Sequence, residues 1–483
     1  MNYRAIAHYL GLVLRVEAAF MLPSLALSFF LGESRVVWGF VAAISIALAL
    51  STLLYALKRN NKKIYIKESY FVVGVCWLVI SLVGAVPLFF SGEGGSFINC
   101  LFETISGFTT TGATILENTD TVSRGLLLWR SFTMWLGGVG VVIFLVAVIQ
   151  ATPGGRSFHV MQAESTGPSP VKIVPRLRDS LIIIYCVYVG LTVLEAVLLL
   201  LGGMPLFDSV NIAMVTAGTG GFAVRSGSMA AYGSLYLEMV VGAFMILCGI
   251  NFSLYFYLIA RNFHAIGKNG ELRAYLGIIA VGVLLVTLNL TSTVYGTPGQ
   301  SLRHSFFQVG SMITTTGMTT ADITQWPTFS KTVLLLLMFI GGCAGSSAGG
   351  LKVARVMLML KVARRSLFGI VRPRSVTIVT LNGKEVDRET VHHTIVYIIL
   401  FMLLYGASML LISLDNVDME TTFFAVCATM NNVGCGFGMV APMNSFHDFS
   451  TLSKLVLSLD MLLGRLELYP ILLLFAPSTW RRG

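Results

Sequence analysis

The chain has 483 residues, of which 55% are hydrophobic and 12% charged, and it carries a net charge of +10. Soluble globular chains have about 25% charged residues, so too few remain here to cover a water-exposed surface of this size. The composition specifies an integral membrane protein and excludes secreted disulfide scaffolds, disordered tails and nucleic-acid binders. The 7 cysteines agree, being scattered with neither a C-x-x-C pair nor metal-ligand spacing.

A helix crossing the hydrocarbon needs about 20 mostly apolar residues. Ten stretches qualify in chain order: 8–31, 36–57, 69–92, 131–155, 181–203, 239–260, 274–302, 332–351, 394–414 and 452–476. The first reads as a retained span, because Arg15 and Glu17 interrupt it and no A-x-A cleavage site follows. Arg4, the connections 58–68, 151–180, 261–273 and 352–393, and the Arg481–Arg482 tail hold 24 of the 33 basic residues. The positive-inside rule then predicts that both termini are cytoplasmic. The opposite connections carry Glu117, Asp120, Asp208, Asp322, Asp418 and Asp448 among others. Around a pore mouth such acids would concentrate cations.

Four of those opposite connections share a pattern. Each opens with a short half-apolar stretch, at Phe97–Ser106, Phe207–Thr216, Phe306–Thr314 and Phe423–Met430. Then follow Thr110-Thr111-Gly112, Gly218-Thr219-Gly220-Gly221, Thr315-Thr316-Gly317 and Asn432-Val433-Gly434-Cys435. Aligned on Gly112, Gly220, Gly317 and Gly434, the copies lie 108, 97 and 117 residues apart. That period is too long for a solenoid of helical hairpins. It suits a unit of helix, short pore helix, re-entrant strand and second helix, at 69–155, 180–262, 273–362 and 390–480, after two helices within 1–68. Non-helical backbone at membrane depth is tolerated only where protein or a watery cavity satisfies it. Four copies around one axis would supply such a cavity, and rings of carbonyl and hydroxyl oxygens can replace the hydration shell of potassium.

Within 332–351, Gly341, Gly342, Gly345, Gly349 and Gly350 fall in ten residues. Each would cost a helix interior about 1 kcal/mol, so an unwound segment is expected. Gly345-Ser346-Ser347-Ala348-Gly349 also matches the G-x-S-x-G nucleophile elbow. The histidines lie in connections or near span ends, which argues against an intramembrane serine hydrolase built on Ser347. Arg465 sits in the last span with Asp460 and Glu467 nearby. A charge there faces a cavity or a partner, and pairing with either acid is the simpler alternative. Glu103 and Glu195 read as packing or short-helix residues. The basic run Lys361–Arg374 is a solvated face that fits anionic lipid headgroups. No Walker A or complete dinucleotide fingerprint is present, so no cofactor is expected in this chain.

The runs Gly107-Phe108-Thr109-Thr110-Thr111-Gly112-Ala113, Gly220-Gly221-Phe222, Thr314-Thr315-Thr316-Gly317-Met318 and Asn431-Asn432-Val433-Gly434 carry a resemblance to a known family. Across essentially its whole length the chain resembles the ion-conducting membrane subunit of the Trk/Ktr/HKT potassium-uptake superfamily, specifically the bacterial Trk type. The resemblance implies an all-α protein of the bacterial cytoplasmic membrane, with K+ as the transported ion. It implies a selectivity filter at Thr110, Thr111, Gly112, Gly218, Thr219, Gly220, Gly221, Thr315, Thr316, Gly317, Asn432, Val433, Gly434 and Cys435. It also implies a gate formed by the 341–350 loop with Arg465, a homodimer with one pore per protomer, and a cytosolic nucleotide-binding regulatory partner. The basic connections 58–68, 151–180 and 352–393 are the expected docking face for that partner. The alternative is a symporter coupling potassium to protons or sodium, for which Glu195 and the Asp460/Arg465/Glu467 group are the available polar residues.

Overall fold

The computed structural model describes residues 3–56, 66–140, 177–372, 378–381 and 384–476. Hydrocarbon offers no hydrogen bonds, so the apolar runs satisfy their backbone internally as helices. Helices α1 (Tyr3–Phe30) and α2 (Ser34–Ala56) form an antiparallel hairpin turned at Gly32, whose φ is +73°. The charge inside α1 is accommodated locally. Arg15 Nε donates to Ser51 Oγ at 2.9 Å, Ser51 donates to Gly11 O at 2.6 Å, and the guanidinium lies 4.3 Å from the Tyr55 ring centroid.

Four units of one design follow. The first has α3 (Ile66–Gly84), its continuation α4 (Val86–Ser91), the short α5 (Phe97–Phe108) and α6 (Arg124–Val139). The second has α7 (Leu177–Leu201), the short α8 (Leu206–Ala217), α9 (Leu235–Cys248) and α10 (Phe252–Ile259), followed by a linking turn of helix, α11 (Phe263–Gly267). The third has α12 (Gly270–Thr293), the short α13 (Pro298–Ile313), α14 (Thr328–Ile340) and α15 (Val353–Val371). A two-stranded hairpin, Thr380–Leu381 with Lys384–Glu385, precedes the fourth. That unit has α16 (Arg388–Ile412), the short α17 (Met419–Met430), α18 (Thr451–Arg465) and α19 (Tyr469–Phe475).

The first helix of the opening unit differs from its counterparts. Its apolar window is 72% buried within the chain, against 22–28% for α7, α12 and α16. The α1–α2 hairpin is the reason, since it packs over α3 and α4. Leucines such as Leu194, Leu284 and Leu403 on the other three are exposed, as lipid-facing residues are.

Of the ten expected crossings, six are continuous long helices and a seventh, α9 with α10, bends by 96°. The other three, 131–155, 332–351 and 452–476, begin as helices that stop partway. Sequence predicts a break only in the third unit. The structure adds one at Gly249–Asn251, where the Asn251 side chain accepts Ser253 N and starts α10 afresh. It adds another at Glu467 and Leu468, which take φ of +56° and +68°. In the first unit α6 ends at Gly140, with φ of +87°, and the remainder of that stretch lies outside the described residues.

The short helices have 12, 12, 16 and 12 residues, too few to cross a bilayer. Each packs on the second helix of the preceding unit: α8 on α6, α13 on α9, α17 on α14, and α5 on α18. The last of these closes a circle.

Candidate functional site: four loops and an intramembrane segment

Each short helix ends just before its motif, so the negative ends of four helix dipoles converge where the motifs meet. The chain leaves each helix in one way. Thr110, Thr219, Thr315 and Asn432 are left-handed, with φ between +54° and +56°. For a residue with a Cβ this costs about 1–3 kcal/mol, and its fourfold recurrence shows that the surroundings impose it. The following amide then turns back onto the helix: Thr111 N to Ser106 O, Gly220 N to Val215 O and Thr316 N to Ser311 O, each at 2.9 Å, and Val433 N to Ala428 O at 2.8 Å.

These bonds correct the alignment of the second unit. Gly220 is equivalent to Thr111, Thr316 and Val433, whereas Gly221 is the partner of Gly112, Gly317 and Gly434. The reason for glycine there is close approach. A Cβ on Gly112 would meet Gly221 N, on Gly221 Thr316 O, on Gly317 Val433 O, and on Gly434 Thr111 O, all within 3.0 Å. The four loops therefore touch edge to edge in a closed ring, unit one to two to three to four and back to one. Asn432 Nδ2 reinforces the closure, donating to Thr111 Oγ1 and Met461 O at 2.9 Å. The Cys435 thiol reaches Gly317 O at 3.4 Å. Thr109, Thr314 and Thr429 turn their hydroxyls back to their own helices.

A cavity of about 80 Å³ adjoins the ring, lined by Gly112, Gly221 and Gly434 together with Glu117, Arg225 and Asn444. On the same face Asp322 and Asp418 are held below the usual carboxylate range. The causes are hydrogen bonds from the Thr324 hydroxyl and amide in one case and the Thr421 hydroxyl and amide in the other.

Across the ring from the cavity lies the unwound segment 341–352. Gly341, Gly345 and Gly350 have φ of +72° to +76°, conformations that favour glycine. Its freed backbone groups are used. Gly349 N donates to Thr315 Oγ1 at 2.7 Å and Gly350 N to Asn431 O at 3.1 Å, which holds the segment against the ring. Cys343 N donates to Gly249 O at 3.0 Å, and Phe252 N donates back to Gly345 O at 3.1 Å. These two bonds join the breaks of the second and third units. Glu271 Oε1 accepts Ala344 N at 2.6 Å.

Arg465 meets this segment directly. Nη1 donates to Ser347 O at 2.6 Å, and Nη2 donates to Gly137 O at 2.5 Å and Gly138 O at 2.9 Å. Asp460 accepts from Ser408 at 2.7 Å, and Glu467 is bonded to Arg355. Lys352 Nζ bonds Ala348 O within the segment. The Ser347 hydroxyl donates to Ala217 O at 3.0 Å and Cys248 O at 3.4 Å. It is a structural tie rather than a nucleophile. Sequence reasoning missed Asn251, Glu271 and the Gly249 break, although an Asn cap shortly after a glycine was a readable stop-and-start mark. Glu195 is fully buried on α7, and Arg364 and Arg365 are exposed on α15.

Comparison with known proteins converges on one group. Residues 38–482 match the family model TrkH, described as a cation transport protein. The Trk system potassium uptake protein TrkH of Salmonella typhimurium is 34% identical over 488 residues, covering 100% of both chains. The Trk system potassium uptake protein TrkG of Escherichia coli is 32% identical, covering 99% of each. The crystal structure of the potassium transporter TrkH from Vibrio parahaemolyticus superposes with a TM-score of 0.88 over 100% of both chains, at 29% identity. This multi-pass membrane chain, with four helix–loop–helix units around one ring, belongs to the TrkH family of cation transport proteins.

Proposed function

We propose that this chain is the conducting subunit of a potassium-uptake system of the bacterial cytoplasmic membrane, passing K+ inward through the ring. The observation that carries this reading is the edge-to-edge contact of Gly112, Gly221, Gly317 and Gly434, which leaves room for nothing but backbone around the axis. Backbone oxygens held at fixed spacing can replace a hydration shell. Four converging helix C-termini favour a cation there. The relatives' names, potassium uptake proteins of the Trk system, support the choice of ion.

In this reading Thr110 through Gly112, Gly218 through Gly221, Thr315 through Gly317 and Asn432 through Cys435 form the filter, and the 341–352 segment with Arg465 is the gate. The protein works as a homodimer with a cytosolic nucleotide-binding subunit that docks on the basic connections. Of these, 58–65, 151–176, 373–377 and 382–383 lie outside the described residues. Both termini face the cytoplasm.

The test is growth rescue of a bacterium lacking potassium uptake, at low potassium, with the regulatory subunit supplied. Rescue that persists when sodium is replaced is the expected result, and no rescue overturns the proposal. A proton- or sodium-coupled mechanism is the second reading. It is favoured by the buried carboxylates Glu195 and Asp460 inside the spans. Rubidium uptake that follows an imposed pH or sodium gradient would select it.

A further inference from the structure

Behind the ring, each returning segment faces its own short helix, and the side chains at that contact alternate around the circle. Seven residues before Thr110, Thr219, Thr315 and Asn432 stand Glu103, Ile212, Gln308 and Ala425; four residues after them stand Thr114, Ala223, Thr319 and Gly436. Only the first and third units can therefore hydrogen-bond across this contact through both side chains, and both do.

In the first unit Thr114 Oγ1 donates to Glu103 Oε1 at 2.9 Å, and Ile115 N donates to Oε2 at 2.8 Å. The carboxylate is buried and paired with Arg130, whose Nη2 lies 2.7 Å from Oε1 and whose Nε lies 2.8 Å from it. Arg130 extends the contact to the second unit. Its guanidinium sits 4.0 Å from the Phe222 ring centroid, next to Gly221, and Nη1 approaches Ala223 O at 3.5 Å. In the third unit Gln308 Nε2 donates to Thr319 Oγ1 at 2.6 Å, and Thr319 Oγ1 donates to Ala321 O at 2.6 Å. Thr319 also exchanges bonds with the second unit, through Ser228 Oγ at 3.3 Å and Ala230 N at 3.2 Å. The fourth unit leans on the first through Phe446 N to Thr114 O at 2.8 Å.

We propose that Glu103 with Arg130, and Gln308, are positioning residues that determine ion specificity. They fix two opposite strands of the ring as posts, and the two apolar-backed strands between them take their place from these posts. A buried charge pair is a costly choice for packing alone, since well-packed apolar residues often do as well. Its value here is that several directional bonds converge on Thr114 and Ile115, two and three residues from Gly112. This rests on the reading of the ring as a potassium filter.

The experiment compares sodium and rubidium uptake into liposomes holding the full chain, at matched inserted protein. The variants are Glu103→Gln, Gln308→Met, Thr114→Val and Thr319→Val, with Ile212→Val as the control in the second unit. Each of the four should raise the sodium-to-rubidium ratio about fivefold, as loss of one ordinary hydrogen bond does to a two-state discrimination. Ile212→Val should leave it unchanged. Within one post the effects should overlap, so Glu103→Gln with Thr114→Val equals the larger single change, whereas variants in different posts should multiply. The threonine variants strand no charge and keep the test open should Glu103→Gln fail to insert. Ratios equal to the parent's in Thr114→Val and Thr319→Val, or an equal shift in Ile212→Val, overturn the proposal. A parent chain with no rubidium preference would instead refute the filter reading itself.

Discussion

Replacing Arg465 with alanine removes a charged donor from α18 to the unwound segment, at Ser347 O. A hydrogen bond to a charged group contributes about 1.5–3 kcal/mol. Bonds from the backbone amides of Cys343, Ala344, Gly349, Gly350 and Phe252 and from the Ser347 hydroxyl remain to hold the segment, so it should loosen rather than unfold. Loss of the charged bond shifts the closed-to-open ratio by roughly 10- to 100-fold. The same change removes a positive charge beside the proposed cation path and frees Gly137 O and Gly138 O. Rubidium uptake into liposomes containing this chain alone should therefore rise, with Gly434→Ser as the non-selective control for protein amount. Equal or lower flux at normal insertion would show that Arg465 holds the bundle together instead of closing the path.

Serine at Gly221 should lower potassium preference more than serine at Gly220, because a Cβ at Gly221 meets backbone and one at Gly220 meets the flexible Met134 side chain; the reverse order in a permeability assay refutes the corrected register. Serine at Gly112, Gly317 or Gly434 should act like serine at Gly221. Charge reversal at the exposed Arg364 and Arg365 should weaken co-purification of the regulatory subunit at ordinary salt without reducing insertion, and unchanged co-purification assigns them to lipid headgroups. Asp418 caps α17, so Asp418→Ala should cost about 1 kcal/mol, read as a lower melting temperature in detergent. Because the folded Asp418 pKa is depressed, its contribution is full above the unfolded value and fades as pH falls through the folded one; parent and variant should melt alike in strong acid, and a difference that persists there refutes the cap.

Much of this architecture was legible because a glycine-bearing polar motif after a short half-apolar stretch recurs four times, about 100 residues apart. The unwound third-unit segment was equally plain, since five glycines in ten residues destabilise any helix. Arg465 stood out because no bilayer interior tolerates an unsatisfied guanidinium. The break at Glu467 and Leu468 has no such mark. Glu467 and Leu468 enter left-handed backbone without a glycine, held by Leu468 N to Leu463 O at 2.9 Å and the Glu467–Arg355 pair. In the second unit, glycine at 218, 220 and 221 leaves several registers equally permissible. Only the turn at Thr219, imposed by tertiary contacts, selects among them. Glu103 and Arg130 are 27 residues apart, so their pairing is a property of packing and not of local pattern.

The circle in which each short helix rests on the preceding unit's second helix has a consequence for biogenesis. Three of its four contacts join neighbours in the chain and can form as successive helices enter the membrane. The fourth, α5 on α18, joins the first unit to almost the last helix made. Until α18 is synthesised, α5 and Thr111 lack their lid, and the Asn432–Thr111 bond spans 321 residues. Nascent chains generally fold from the N-terminus onward, yet here the earliest unit must wait for the latest. A half-made chain is thus an open horseshoe, its first unit still without the helix and the loop that complete the ring.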